Sequence, residues 1–214
     1  MPNLVGRRIA GRLVTDVMGM GSTSAVYRVR HVALGREEVL RVLRDEIEQE
    51  RLPQVLPIVA GLRSPHGVRV LDLVPPESGR AIELDHPMLF TELAEGRSLD
   101  ARPPGTQLSP TAAARIIHQV GRALQEAHHH GIAHGDLKPS NILLVEGEEG
   151  VSARVTDFGL LPPVEKVPEL LELRPSGRPL FGTPAFPAPE RILRDDPPMC
   201  AATSTRSGCC STSS

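Results

Sequence analysis

Residues 131–141 read GIAHGDLKPSN, and the reading of this loop decides the fold. An Asp follows the His two residues on, a Lys stands two after that and an Asn three further, with a Pro holding the middle. Upstream, Ser109 and Pro110 have the residue types of a helix N-cap and first turn, and Ile116, Ile117, Val120, Leu124 and Ala127 recur on one helical face before the chain turns near Gly131. Downstream, NILLV (141–145) and ARVTDF (153–158) read as a short hairpin, followed by a Pro-laden stretch to Glu190. The polar loop is therefore held between a long helix and a hairpin.

Phosphoryl transfer needs a carboxylate to orient and deprotonate an attacking hydroxyl, a cation near the moving phosphate and an oxygen ligand for Mg²⁺. Asp136, Lys138 and Asn141 offer these three groups from one loop. Asp-Phe-Gly follows at 157–159, a carboxylate backed by an apolar ring and a flexible glycine, suited to holding Mg²⁺ at a hairpin end. Near the N-terminus, MGMGSTSAV (18–26) lies between two predicted strands. Gly19 and Gly21 let backbone approach a polyphosphate, Ser24 stands at the third glycine position of a G-x-G-x-x-G-x-V pattern, and Val26 fills its last place. A strand rather than a helix after the glycines argues against a dinucleotide fold.

Residues 9–45 are rich in β-branched side chains broken by glycines and predict three strands; GVRVLDLV (67–74) and PMLFTEL (87–93) predict two more. Between them, residues 45–63 carry apolar residues at helical spacing, but Pro53 and Pro57 limit any helix to a short or broken one. With aromatic residues at 2%, no Trp and one Tyr, the core is expected to rest on Leu, Val, Ile and Ala. A net charge of -2 with both signs interspersed gives no footprint for nucleic acid or an anionic membrane. No run of apolar residues is long enough to span a bilayer, so a cytoplasmic location is expected.

Loop, DFG and Ala188-Pro189-Glu190, in this order, make the chain similar to the eukaryotic-like serine/threonine protein kinases from about residue 9 to about residue 198. The resemblance implies an α+β bilobal fold. Residues 1–93 would form a first lobe of a five-stranded antiparallel sheet plus one helix; residues 94–198 would form the first part of a mainly helical, incomplete second lobe. It implies ATP and Mg²⁺ between the lobes and a protein substrate with a Ser or Thr hydroxyl. In its terms Asp136 is the catalytic base, Lys138 marks the Ser/Thr-directed subclass, and Asn141 and Asp157 bind Mg²⁺. Thr91 would be the gatekeeper, with main-chain groups of Glu92 and Ala94 meeting the adenine. Thr183 would touch Asp136 and Lys138.

Three departures from that pattern matter. Arg41 stands where the family carries its ATP-anchoring Lys; its planar fork is larger than an ammonium and does not bridge phosphates and a helix Glu in the same space. Family spacing for that Glu falls near Gln54 and Val55, with Glu50 as a substitute. Gly135 replaces the usual loop Arg, which argues that phosphorylation of the activation segment is not read out through that position; Ser176 and Thr183 stand as candidate phosphosites. Arg41, Ser24 and the displaced helix Glu keep a second reading open, a catalytically impaired pseudokinase serving as a scaffold. His128, His129 and His130 point in different directions from a helix end and read as helix-terminal charge rather than a metal site. The acidic EGEEG (146–150) reads as a solvated turn.

The tail PPMCAATSTRSGCCSTSS (197–214) holds all three cysteines and loses apolar periodicity. Read from the third base of each codon with free choice of wobble bases, residues 199–214 permit V-R-S-D-L-Y-S-L-G-V-L-L-Y-E-L, the pattern of the apolar helix that follows APE in this family. The expectation is a frame broken after about Pro198; a Ser/Thr-rich disordered tail is the alternative.

Overall fold

The computed structural model describes residues 4–21, 24–43, 55–75, 86–103, 105–147, 150–160 and 186. Glu50, Gln54, Ser176, Thr183, the Ala188-Pro189-Glu190 motif and the tail lie outside the described residues.

Alternation of apolar and polar residues writes the first sheet. Its strands are β1 (Arg8–Ile9), β2 (Arg12–Met20), β3 (Ser24–His31), β4 (Glu37–Leu43), β5 (Val70–Val74) and β6 (Met88–Glu92). They run in the order β1-β2-β3-β4-β6-β5, every neighbouring pair antiparallel. The five expected strands are all present; the sixth, β1, is a two-residue strand that pairs across the Ala10–Gly11 turn and is too short to leave a periodic signal. Side chains at 25, 27 and 29 of β3 and at 40 and 42 of β4 are buried on one face with Leu4, Ile9, Val14, Met88 and Phe90.

Two rings contradict the expectation of a ring-poor core, because Tyr27 and Phe90 are the largest fully buried side chains. Rarity in the composition says nothing about placement, and each ring contributes roughly 1.5–3 kcal/mol by leaving water. The same face buries charge. Glu38, wholly buried, accepts from Arg12 Nε at 3.0 Å and from Arg36 Nε at 2.7 Å. Arg12 also donates to Asp72 at 2.8 Å, and its guanidinium lies 4.2 Å over the Phe90 ring.

Residues 55–59 form a short helix, α1. Helix α2 (Pro110–His129) starts as the sequence predicts, with Ser109 Oγ accepting from Ala112 N at 3.1 Å, a cap worth about 1 kcal/mol. Its buried face is Ile116, Val120, Ala123 and Ala127. Ile117, expected on that face, is 71% exposed. One residue along a helix is a rotation of about 100°, which carries it off the stripe of its neighbour.

A second sheet joins β7 (Arg97–Ser98), β8 (Ile142–Gly147) and β9 (Gly150–Val155), the last two in the expected hairpin. α2, β9, α1 and Phe158 share a second apolar cluster, and Leu160 joins Leu43, Leu56 and Leu89 in a third that links the two lobes. Main chain crosses as well: Val155 N donates to His66 O, and Val68 N to Val155 O, each at 2.8 Å. Among the described residues no helix is long and apolar enough to cross a membrane.

Candidate functional site

The loop 131–141 is held from both sides by hydrogen bonds to the segment after β9. His134 is the connector: its Nε2 lies 2.9 Å from Thr156 O, and Asp136 N donates to its Nδ1 at 3.3 Å. A ring that donates at Nε2 and accepts at Nδ1 is a neutral imidazole, and burial, the largest influence, does push the His134 pKa below its usual value. The opposing influences include the carboxylates of Asp157 and Asp136, so both acids lie close enough to act on this ring. Phe158 packs beside it with ring centroids 4.9 Å apart. Further backbone bonds run from Thr156 N to Asn141 O at 3.0 Å and from Gly159 N to His134 O at 3.2 Å.

Within the loop Asp136 is almost fully buried, and Lys138 Nζ stands 2.7 Å from its Oδ2. Asn141, also buried, donates from Nδ2 to Asp136 O at 2.9 Å, which fixes the orientation of the amide and leaves Oδ1 as its acceptor end. Asp157 sits at φ 65°, a left-handed conformation that non-glycine residues adopt at a cost of order 1–3 kcal/mol and that packing around it must offset. Gly159 follows at φ 70°, where an added Cβ would collide with the Val55 side chain. Val55, one of the positions to which family spacing pointed for the helix Glu, therefore contacts the turn after Asp157.

Arg41 comes from the sheet. In β4 it pairs with Val26 on one side and Leu89 on the other, and its side chain leaves the sheet towards Asp157. Nη2 is 2.6 Å from Asp157 Oδ2, and Nη1 is 3.2 Å from Ser24 Oγ. Ser24, at the third glycine position of the N-terminal motif, is thereby joined to the candidate metal ligand through one guanidinium.

Contacts among the described residues do not account for the glycines of that motif. Among the described residues nothing lies within 4 Å of where a Gly19 Cβ would stand, a Cβ at Gly21 would meet Ser24 O at 3.5 Å, and neither glycine has positive φ. Space is kept over the end of β2, as a ligand's close approach requires. At the linker, Thr91 is half-buried in β6 between Val39 and Val70. Glu92 N donates to Arg69 O at 3.0 Å and is not on offer to a ligand. Its side chain grips Arg154 and the Arg69 amide, a clamp across the lobes that gave no sequence signal because its members lie far apart in the chain. Ala94 borders a cavity of about 890 Å³ that also touches Met18 and Leu144; Thr91, Asp136 and Asp157 are not among its walls.

The oxygen set suits Mg²⁺. Asp157 supplies a carboxylate and Asn141 an amide oxygen; Mg²⁺ is commonly held by one or two such protein ligands together with phosphate oxygens. Among the described residues there is no group of three or more His, Cys, Asp or Glu placed for a metal, so a site made by protein alone is not what the geometry offers.

A family model described as protein kinase domain matches residues 13–204. The serine/threonine-protein kinase pkn2 of Myxococcus xanthus is 32% identical over 182 residues, which is 82% of this chain and 21% of that protein. The DNA damage-responsive serine/threonine-protein kinase RqkA of Deinococcus radiodurans is 35% identical over 199 residues, 89% of this chain and 28% of that protein. The chain thus spans between a fifth and a third of the length of these two relatives. A double mutant of the Mycobacterium tuberculosis PknI kinase domain shares the fold, with a TM-score of 0.63 at 24% identity, covering 75% of this chain and 63% of that one.

Proposed function

From the chain's membership of the protein kinase domain family, as a bacterial-like serine/threonine kinase domain, we propose that it transfers the γ-phosphate of ATP to Ser or Thr hydroxyls of a protein substrate, in the cytoplasm. The observation that carries this reading is the buried pairing of Asp136 with Lys138 at 2.7 Å, on a loop tied through His134 to the residue before Asp157. Asp136 takes the proton of the attacking hydroxyl as its oxygen bonds to phosphorus and the bond from phosphorus to the bridging oxygen breaks, releasing ADP. Lys138 offsets charge on the moving phosphoryl group. Asp157 and Asn141 would hold Mg²⁺, which supplies charge neutralisation on the phosphates when bound. Gly19 and Gly21 admit the phosphates to the backbone, and Thr91, Glu92 and Ala94 border the adenine end. The lobes divide at 93/94.

Phosphorylation of a general protein substrate, measured with labelled ATP and Mg²⁺, tests the proposal. Asp136→Asn should lower the rate by roughly 10²–10⁴-fold while leaving nucleotide binding in place. An unchanged rate overturns the assignment of the base.

A second reading, an impaired kinase retained as a scaffold, is favoured by one observation: Arg41 occupies Asp157 and Ser24 together. Partner binding that survives Asp136→Asn, in a chain without measurable transfer, would select it. As part of either reading, residues 199–214 are translated out of frame. Support comes from the loss of apolar periodicity after Pro198 and from Ile117, an apolar side chain on α2 left exposed among the described residues. Several independent nucleotide reads encoding MCAATSTRS in frame would remove the sequencing-error form of this idea.

A further inference from the structure

α2 carries two stripes. One is the buried face already described; the other, His118, Arg122, Gln125 and His129, recurs at the same spacing on a different side and faces Arg63, Ser64, Pro65 and His66 across a groove of about 460 Å³. None of the residues assigned to catalysis or nucleotide binding lines it. The groove is built rather than incidental. Glu126 Oε1 accepts from Arg63 N at 2.5 Å, Arg63 Nη1 caps the end of α1 at Ala60 O and Leu62 O, and His66 Nδ1 bonds Ala153 O at 3.2 Å. A smaller space of about 290 Å³ shares His66 and His118 and extends the groove to Gln119 and Ser152.

We propose that this groove is a docking site for a carboxylate-rich segment of a partner protein. Charge is the first argument. In a chain of net charge -2, the groove collects, among the described residues, Arg63, Arg122 and three imidazoles against one carboxylate, Glu126, which already serves the Arg63 amide. Distribution is the second. Arg63 Nη1 already donates to two carbonyls, and among the described residues the basic side chains are spread along the groove rather than gathered at one point as a compact phosphate dianion favours. From His118 to His129 the helix rises about 16 Å, the length of roughly five extended residues. A strand of spaced carboxylates matches that spread.

Anisotropy of a fluorescein-labelled twelve-residue peptide of alternating Glu and Gly, titrated with the full 214-residue chain in 50 mM salt, tests the site. Binding should weaken by at least about tenfold in Arg122→Glu and in His118→Glu, and by less in Arg122→Gln, with melting temperatures unmoved because both side chains are exposed. Absence of binding, equal binding by the charge-reversed chains, or preference for a phosphoserine peptide, phosphatidylserine vesicles or single-stranded DNA over the Glu peptide would each overturn the proposal.

Discussion

Arg41 Nη2 rests 2.6 Å from Asp157 Oδ2 while Nη1 of the same guanidinium reaches Ser24 Oγ at 3.2 Å. The side chain that stands at the phosphate-anchoring position is thus bound to the carboxylate that metal would use. Both partners are mostly buried, at 24% and 14% side-chain exposure, so solvent does little to weaken the pair. If Asp157 holds Mg²⁺ as proposed, the ion and Arg41 would compete for one oxygen.

Arg41→Lys removes the second nitrogen of the fork, so one side chain no longer holds Asp157 and Ser24 together. Half-saturating Mg²⁺ for binding of a fluorescent ATP analogue should fall by roughly tenfold, the scale of one charge-assisted hydrogen bond, and phosphate transfer should rise. A Mg²⁺ dependence that does not move, with no gain in transfer, would favour the scaffold reading.

Burial holds His134 below its usual pKa of 6.5, so the folded chain binds fewer protons than the unfolded one near that pH. Stability is complete above about pH 6.5 and is lost as pH falls through that value towards the folded-state pKa. Melting followed by circular dichroism should show the midpoint dropping between pH 7.5 and 5.5. His134→Gln should flatten this slope and cost roughly 1–3 kcal/mol at pH 7.5, since Asp136 N and Thr156 O lose their shared partner. His128, also lowered by burial, leaves a residual slope.

At Gly159, alanine meets two penalties, a left-handed φ and a collision with Val55. Urea denaturation should show a loss of at least about 2 kcal/mol, partly recovered when Val55→Ala is added. Gly19→Ala, with open space around its Cβ, should stay within about 0.5 kcal/mol of the parent yet weaken nucleotide binding.

Glu38→Gln leaves Arg12 buried with one fewer counter-charge. A destabilisation of about 3 kcal/mol is expected by urea denaturation, because uncompensated buried charge costs more than the pair itself contributes. Less than about 1 kcal/mol would mean that Asp72 and the Phe90 ring suffice.

Much of the candidate site is legible in the chain because its members are close in sequence. Asp136, Lys138 and Asn141 share one loop, and the α2 cap at Ser109 and the hairpin of β8 and β9 are local events with local signals. What could not be read depends on long-range meetings. Arg41 is 116 positions from Asp157 and Glu92 is 62 from Arg154, and no periodicity links such pairs. The Arg12–Glu38 network was hidden for another reason: charged residues in an alternating strand read as solvent-facing, and only the assembly of the whole sheet brings Arg12 of β2, Glu38 of β4 and Asp72 of β5 together. Ile117 shows the opposite error, an apolar residue assigned to a face one helical step away from its own.

Tyr27, the single tyrosine in a chain without tryptophan, is fully enclosed in the first sheet. Ultraviolet emission from the native protein therefore originates essentially from one known place. Quencher access to that phenol reports opening of the β-rich lobe alone, whereas the circular dichroism of α2 reports the other. Comparing the two signals along a denaturation curve reveals whether the halves come apart together, with no label attached.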